Sequence, residues 1–128
     1  MGTNDVKSKV VDVTFQSAAV AIGNGTSLRL DGASAVLAQV TGITTATITW
    51  EATLDGSTWV AILATNLNSS TAATTATADG LYLLNCSGAA LVRARISAWT
   101  SGTITVTGRS TALPFSLASA TGGGGGGP

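Results

Sequence analysis

A chain of 128 residues is one domain's worth, enough to bury a single core between two layers and too short to add a separate catalytic module. Only 9% of the residues are charged, against about 25% in an ordinary soluble domain, and Thr, Ser, Ala and Gly fill the gap. Six basic and six acidic residues cancel, so no field steers the chain toward nucleic acid or an anionic membrane, and a weak defence against self-association points to life inside an assembly.

Residues 1–9 are polar, lack a pattern and read as an N-terminal arm. Met1 to Phe15 contains no apolar run long enough for a signal peptide, so synthesis in a cytosol is expected. No run of about 18 apolar residues occurs anywhere.

From there the pattern has period two. Val11, Val13 and Phe15 alternate with Asp12, Thr14 and Gln16, a first strand with the apolar set inward. Gly23-Asn24-Gly25 breaks the chain; Leu28 and Leu30 flank Arg29, and Asp31-Gly32 turns it. Val36, Ala38 and Val40 supply the next inward face. The clearest strand runs from Thr44 to Leu54, with Ala46, Ile48, Trp50, Ala52 and Leu54 inward and Thr45, Thr47, Thr49, Glu51 and Thr53 outward. Stiff, branched threonine suits such a solvated face.

Asp55-Gly56 signals a tight turn into a strand from Trp59 to Leu63. Leu67 to Ala78 reads as a loop or a weak edge strand. Asp79-Gly80 opens a strand from Leu81 to Cys86 that is apolar on both faces and therefore central. After Gly88, Leu91 to Ser97 places Val92, Ala94 and Ile96 inward and Arg93 and Arg95 outward. Ser101-Gly102 reads as a last hairpin turn before Thr103 to Arg109. No segment shows a helical period with caps.

Seven or eight short strands, turning about every ten residues, predict an all-β fold. The expected architecture is a single antiparallel β-sandwich, jelly-roll or immunoglobulin-like, over residues 10–110. Extended arms flank it at 1–9 and 111–128; the second carries Leu113-Pro114-Phe115-Ser116-Leu117 and the glycine run Gly122 to Gly127.

Candidate chemistry is sparse. The absence of histidine removes the commonest general base and metal ligand, and with it Ser-His-Asp and Cys-His catalysis. Glu51 and Asp55 sit around one hairpin, but an outward strand residue and a turn residue describe them better than a glycosidase pair. Asp31, Asp55 and Asp79 are explained by turn chemistry rather than calcium ligation. Cys86, in an apolar strand, reads as a buried and inert thiol. No enzyme and no cofactor are expected.

Trp50 and Trp59 are expected in the core, while Trp99 is placed equally by a core and a rim position. Arg93 and Arg95 share an outward face and suit either solvent or a partner, since arginine is enriched at interfaces.

The stretch Thr49-Trp50-Glu51-Ala52-Thr53-Leu54-Asp55-Gly56-Ser57-Thr58-Trp59 resembles a hairpin that recurs in small β-sandwich virion structural proteins of tailed bacteriophages. Gly80-Leu81-Tyr82, then Val92 to Ile96, then Ser101 to Gly108 resemble the second half of the same modules, so the likeness spans about residues 25–110. It implies a virion component: a head decoration or cement protein bound to the major capsid protein or other virion proteins, self-associating, with a trimer as one option. Arg93, Arg95, Leu113, Phe115 and Leu117 are the expected partner contacts. The alternative is a glycan-binding module of a tail or fibre, with Trp99 at the sugar.

Overall fold

The computed structural model describes residues 10–111, and every regular element among them is a strand. In chain order these are β1 (Asp12–Ala19), β2 (Leu28–Arg29), β3 (Ala35–Thr53), β4 (Val60–Ala61), β5 (Ala64–Asn66), β6 (Thr71–Ala73), β7 (Thr75–Ala76), β8 (Gly80–Asn85) and β9 (Leu91–Thr111). Two of them dominate. β3 has 19 residues and β9 has 21, and they pair antiparallel from Ala35↔Thr111 to Thr53↔Leu91.

The other strands attach to this spine. The main path is β1-β9-β3-β8-β5-β6; β2 pairs with the start of β9, and β4 and β7 pair with the end of β3. One layer therefore holds the first half of β3 and the second half of β9, with β1, β8, β5 and β6. The other holds the remaining halves, with β2, β4 and β7. The expected all-β antiparallel sandwich is present, and its two layers are continuous with each other.

Alternation sorts the side chains as the sequence implies. Val36, Ala38, Val40, Ala46, Ile48, Trp50, Val92, Ala94, Ile96, Ile104 and Val106 are all buried in one cluster. Trp50 of the second layer meets Tyr82 of the first, ring centroids 5.4 Å apart at 42°, a tilted aromatic contact between the layers. β8 lies between β3 and β5, central as expected, and the weak edge expected over Leu67 to Ala78 appears as β6 and β7.

Four details depart from the alternation. Ser101-Gly102 is no hairpin turn: β9 runs through it, and β3 runs through Gly42, so four expected strands are two. The two glycines face each other where the ladder slips at Ile43↔Gly102, with φ of 86° at Gly42 and 119° at Gly102. A Cβ at Gly42 would collide with the Thr103 carbonyl, and one at Gly102 with the Gly42 carbonyl. Glycine here bends both strands together without breaking their pairing. The Asp79 carboxylate accepts hydrogen bonds from the amides of Gly42 (3.1 Å) and Ile43 (2.9 Å), satisfying donors that the bend frees.

The remaining three are local. A bulge between Thr14 and Gln16 reverses the phase of β1, so Phe15 and Gln16 are both buried; Val11, expected inward, precedes β1 and is exposed. The Gln16 amide donates to the Ala94 carbonyl (2.9 Å) and to the Gly23 carbonyl (3.1 Å), tying β1 to the opposite layer. Leu54, expected inward, is 77% exposed because the ladder ends at Thr53. The strand expected from Trp59 to Leu63 is shorter, pairing with β3 at Val60 and Ala61 with the Ile62 amide donating to the Trp50 carbonyl at 2.8 Å.

The bend can be tested by substitution. Gly42→Ala should cost about 2–4 kcal/mol, combining strain at positive φ with a backbone clash. Gly56→Ala has a φ of 81° but open space around the new Cβ and should cost about 1 kcal/mol. Urea unfolding midpoints at unchanged slope measure the difference.

Candidate interaction surface

The outer face of the second layer brings together three charged residues, Glu51, Arg93 and Arg95. Register places Glu51 of β3 opposite Arg93 of β9, with Arg95 opposite Thr49. Arg93 Nε donates to Glu51 Oε1 at 2.8 Å, and Arg95 reaches Glu51 Oε2 through Nη2 at 3.0 Å and Nε at 3.1 Å. The Arg93 guanidinium lies 4.0 Å over the centroid of the Trp59 ring, a cation–π contact. Along the same face the Thr49 and Ser97 hydroxyls share a hydrogen bond of 2.8 Å, and Ser97 donates to the Thr47 carbonyl.

This arrangement changes the reading of several residues. Glu51, expected as a solvated outward residue, is buried under its two arginines. Burial by itself would push its carboxyl up, but hydrogen bonds from Arg95 and Arg93 outweigh that and hold it below its ordinary value. Trp59 is half-buried against Arg93 and is not part of the core cluster that holds Trp50. Arg93 and Arg95 do point outward as expected, and both are ion-paired. No local signal marks the trio, because 42 residues separate Glu51 from Arg93 and only the long register joins them.

The turn after β3 explains how Trp59 arrives. Asp55 Oδ1 accepts from the amides of Ser57 and Thr58, each at 2.7 Å, and from the Thr53 hydroxyl at 3.1 Å. The amides of Thr58 and Ser57, then the Thr53 hydroxyl, pull the Asp55 carboxyl down to about 2. Glu51 and Asp55 are thus both held ionised, and neither is set up as a proton donor near neutral pH. Cys86 is buried, and burial pushes its thiol up to about 11, the inert state expected of it.

Apolar groups also reach the surface, Val20, Ile22 and Leu67 among them. Leu37 and Leu81 lie on the outer face of the first layer, in a shallow depression beside the exposed Asp12–Arg109 ion pair (2.7 Å). Leu54, just past the end of β3, and Val60 and Leu63, on or after β4, are more than half exposed. Trp99 is half-buried against the core, and its Nε1 donates to the Gly102 carbonyl at 3.0 Å. It lines a small groove of about 260 Å³ with Thr44, Thr45, Thr47 and Thr100. Leu113, Phe115 and Leu117 lie outside the described residues, as do both arms.

Two substitutions probe this surface. Glu51→Gln removes the carboxylate that pairs with two adjacent guanidiniums, and should lower stability by about 1–3 kcal/mol, read by urea unfolding. For Asp55 the folded carboxyl lies below its ordinary value of 3.8, so its stabilisation is complete above that pH and is lost as pH falls through about 2. The melting-temperature gap between wild type and Asp55→Ala should be constant above pH 4 and shrink toward pH 2.

The model of the XepA family matches residues 9–110. Among solved structures the chain resembles the PBSX exported protein XepA, with a TM-score of 0.79 and 20% identity over 84% of this chain and 39% of that one. It also resembles the SPBc2 prophage-derived protein YomS, with a TM-score of 0.75 and 17% identity over 86% of this chain and 99% of that one. This chain therefore spans well under half of XepA and nearly all of YomS. No curated protein sequence matches it. At such identities the two structures speak for the sandwich alone. The family match covers most of the chain, and on it the protein belongs to the XepA family.

Proposed function

We propose that this chain is a non-enzymatic structural protein of a phage particle, a decoration or cement protein that docks on the head through the outer faces of its sandwich. The observation that carries the reading is the Glu51–Arg93–Arg95 face, with Trp59 under Arg93. Its guanidiniums are fixed before any partner arrives, so little side-chain freedom is lost on binding. Arginine and tryptophan are the groups most often found at the energetic centre of an interface. The exposed leucines supply apolar area, and a net charge of zero does not oppose packing against further copies. The partners are the major capsid protein or other virion proteins, together with copies of the chain itself, as a trimer if they meet around a local threefold axis. XepA's description as an exported protein suits a destination outside the cell. Two ionised carboxyls and the lack of histidine support a binding rather than a catalytic role.

One observation favours a second reading, a glycan-binding module of a tail or fibre. Threonine hydroxyls beside Trp99 offer a sugar both hydrogen bonds and an aromatic edge. Against it, the Trp99 N–H is already committed to Gly102.

Immunogold labelling of intact particles, with antibody against the purified chain, separates these. Dense label over the head is the expected result, and Arg93→Ala/Arg95→Ala should reduce added protein bound to undecorated heads at least about tenfold. Label confined to the tail, with tryptophan fluorescence quenched by a sugar, would establish the second reading. Unlabelled particles would overturn both.

A further inference from the structure

On the outer face of the second layer two guanidiniums share one carboxylate. Both oxygens of Glu51 are taken: Oε1 accepts from Arg93 Nε, and Oε2 meets Nε and Nη2 of Arg95. The three side chains therefore carry one positive charge that no member of the trio balances. Among the described residues no further acid pairs with either arginine. The Arg93 and Arg95 side chains are only 15% and 34% exposed, so water compensates the excess poorly, and an arriving anion would relieve it.

Donors are left over as well as charge. Arg93 commits only its Nε, and Arg95 leaves Nη1, so among the described residues both Nη groups of Arg93 and one of Arg95 have no acceptor. They reach solvent, because the buried side-chain polar atom without a partner there is Trp50 Nε1. The Arg93 group is also held in place, with one face 4.0 Å over the Trp59 ring and its Nε on Glu51. What stays open to a ligand is its Nη pair, the fork that grips a carboxylate through two parallel bonds. Arg95 follows two positions along β9, about 7 Å away on the same face. Glu51 already takes bonds from both arginines, so a second carboxylate can do the same from their free side.

We propose that Arg93 and Arg95 together bind the carboxylate of an acidic side chain, Asp or Glu, on the surface of a partner protein. The bound group completes an alternating set of two arginines and two carboxylates. This inference rests on that face being the docking surface, and it names the group the surface recognises. The attraction acts at contact distance, because the charges of the whole chain sum to zero.

Hexaglutamate titrated into the full chain at about 0.15 M salt tests it, read by NMR at the arginine Nε–H and tryptophan indole N–H signals. Saturable shifts are expected at Arg93, Arg95 and Trp59. Arg93→Lys keeps the charge but loses the fork, and Arg95→Gln removes the second guanidinium. Each should weaken the apparent affinity at least about fivefold, and Arg95→Gln serves if Arg93→Lys does not fold. Arg29 is exposed on β2 and makes no ion pair among the described residues. Arg29→Gln should leave the affinity almost unchanged, since an isolated exposed charge is screened by salt. An equal loss in Arg29→Gln would reduce the binding to net charge and overturn the proposal. So would the absence of saturable shifts, or inorganic phosphate shifting the same signals more strongly than hexaglutamate at equal charge. The titration needs no particle: hexaglutamate binding beside unlabelled particles would sink the virion reading alone, and labelled heads without hexaglutamate binding would sink this inference alone.

Discussion

Everything in this molecule depends on one constraint: β3 and β9 bend together, at facing glycines, without parting. Sandwiches usually join two sheets by loops, and the sheets can adjust against each other. Here the same two strands carry both layers, so the register that pairs Ala35 with Thr111 also pairs Thr53 with Leu91, allowing for the slips at the bend. A slip of one residue anywhere along the spine would turn core faces outward in both layers. Gly42 and Gly102 make the bend sterically feasible, and Asp79 satisfies the amides it exposes. The Trp50–Tyr82 contact and the Gln16 amide then hold the two layers at their working separation.

The charged groups follow a consistent logic. Glu51 pairs with both Arg93 and Arg95, Asp12 pairs with Arg109, and Asp55 and Asp79 bind backbone amides. The surface between them is largely threonine, serine and alanine. A molecule built this way reaches its partners through shape and short-range contacts rather than a long-range field, and its association should depend little on salt.

Much of the fold was legible because period-two alternation is a local property. The inward sets of β3, β8 and β9 and the turns at Asp31 and Asp55 could be read residue by residue. The features that escaped this reading depend on which distant strand lies opposite. Gly102 looks identical in sequence whether a chain reverses there or bends, and only its meeting with Gly42 decides. Glu51 looked like a solvated strand residue because its two arginines come from the other end of the chain. Gln16 was misplaced by a bulge, which leaves no trace in the alternation pattern. The outward direction of Arg93 and Arg95 is legible from the alternation, but their shared partner Glu51 and the Trp59 ring are not.

The adjacent pairing of Val11 with Ser110 has a mechanical meaning. The Ser110 amide donates to the Val11 carbonyl at 3.0 Å, so the chain enters and leaves the sandwich side by side. A load pulling the two ends apart would act on β1 and β9 perpendicular to the strands, opening their hydrogen bonds one at a time from the Asp12–Arg109 end. The same load applied across the bend would have to shear many β3–β9 bonds at once. Anchored by both ends, the domain would yield at low force by peeling β1; gripped by its faces, it would be stiff.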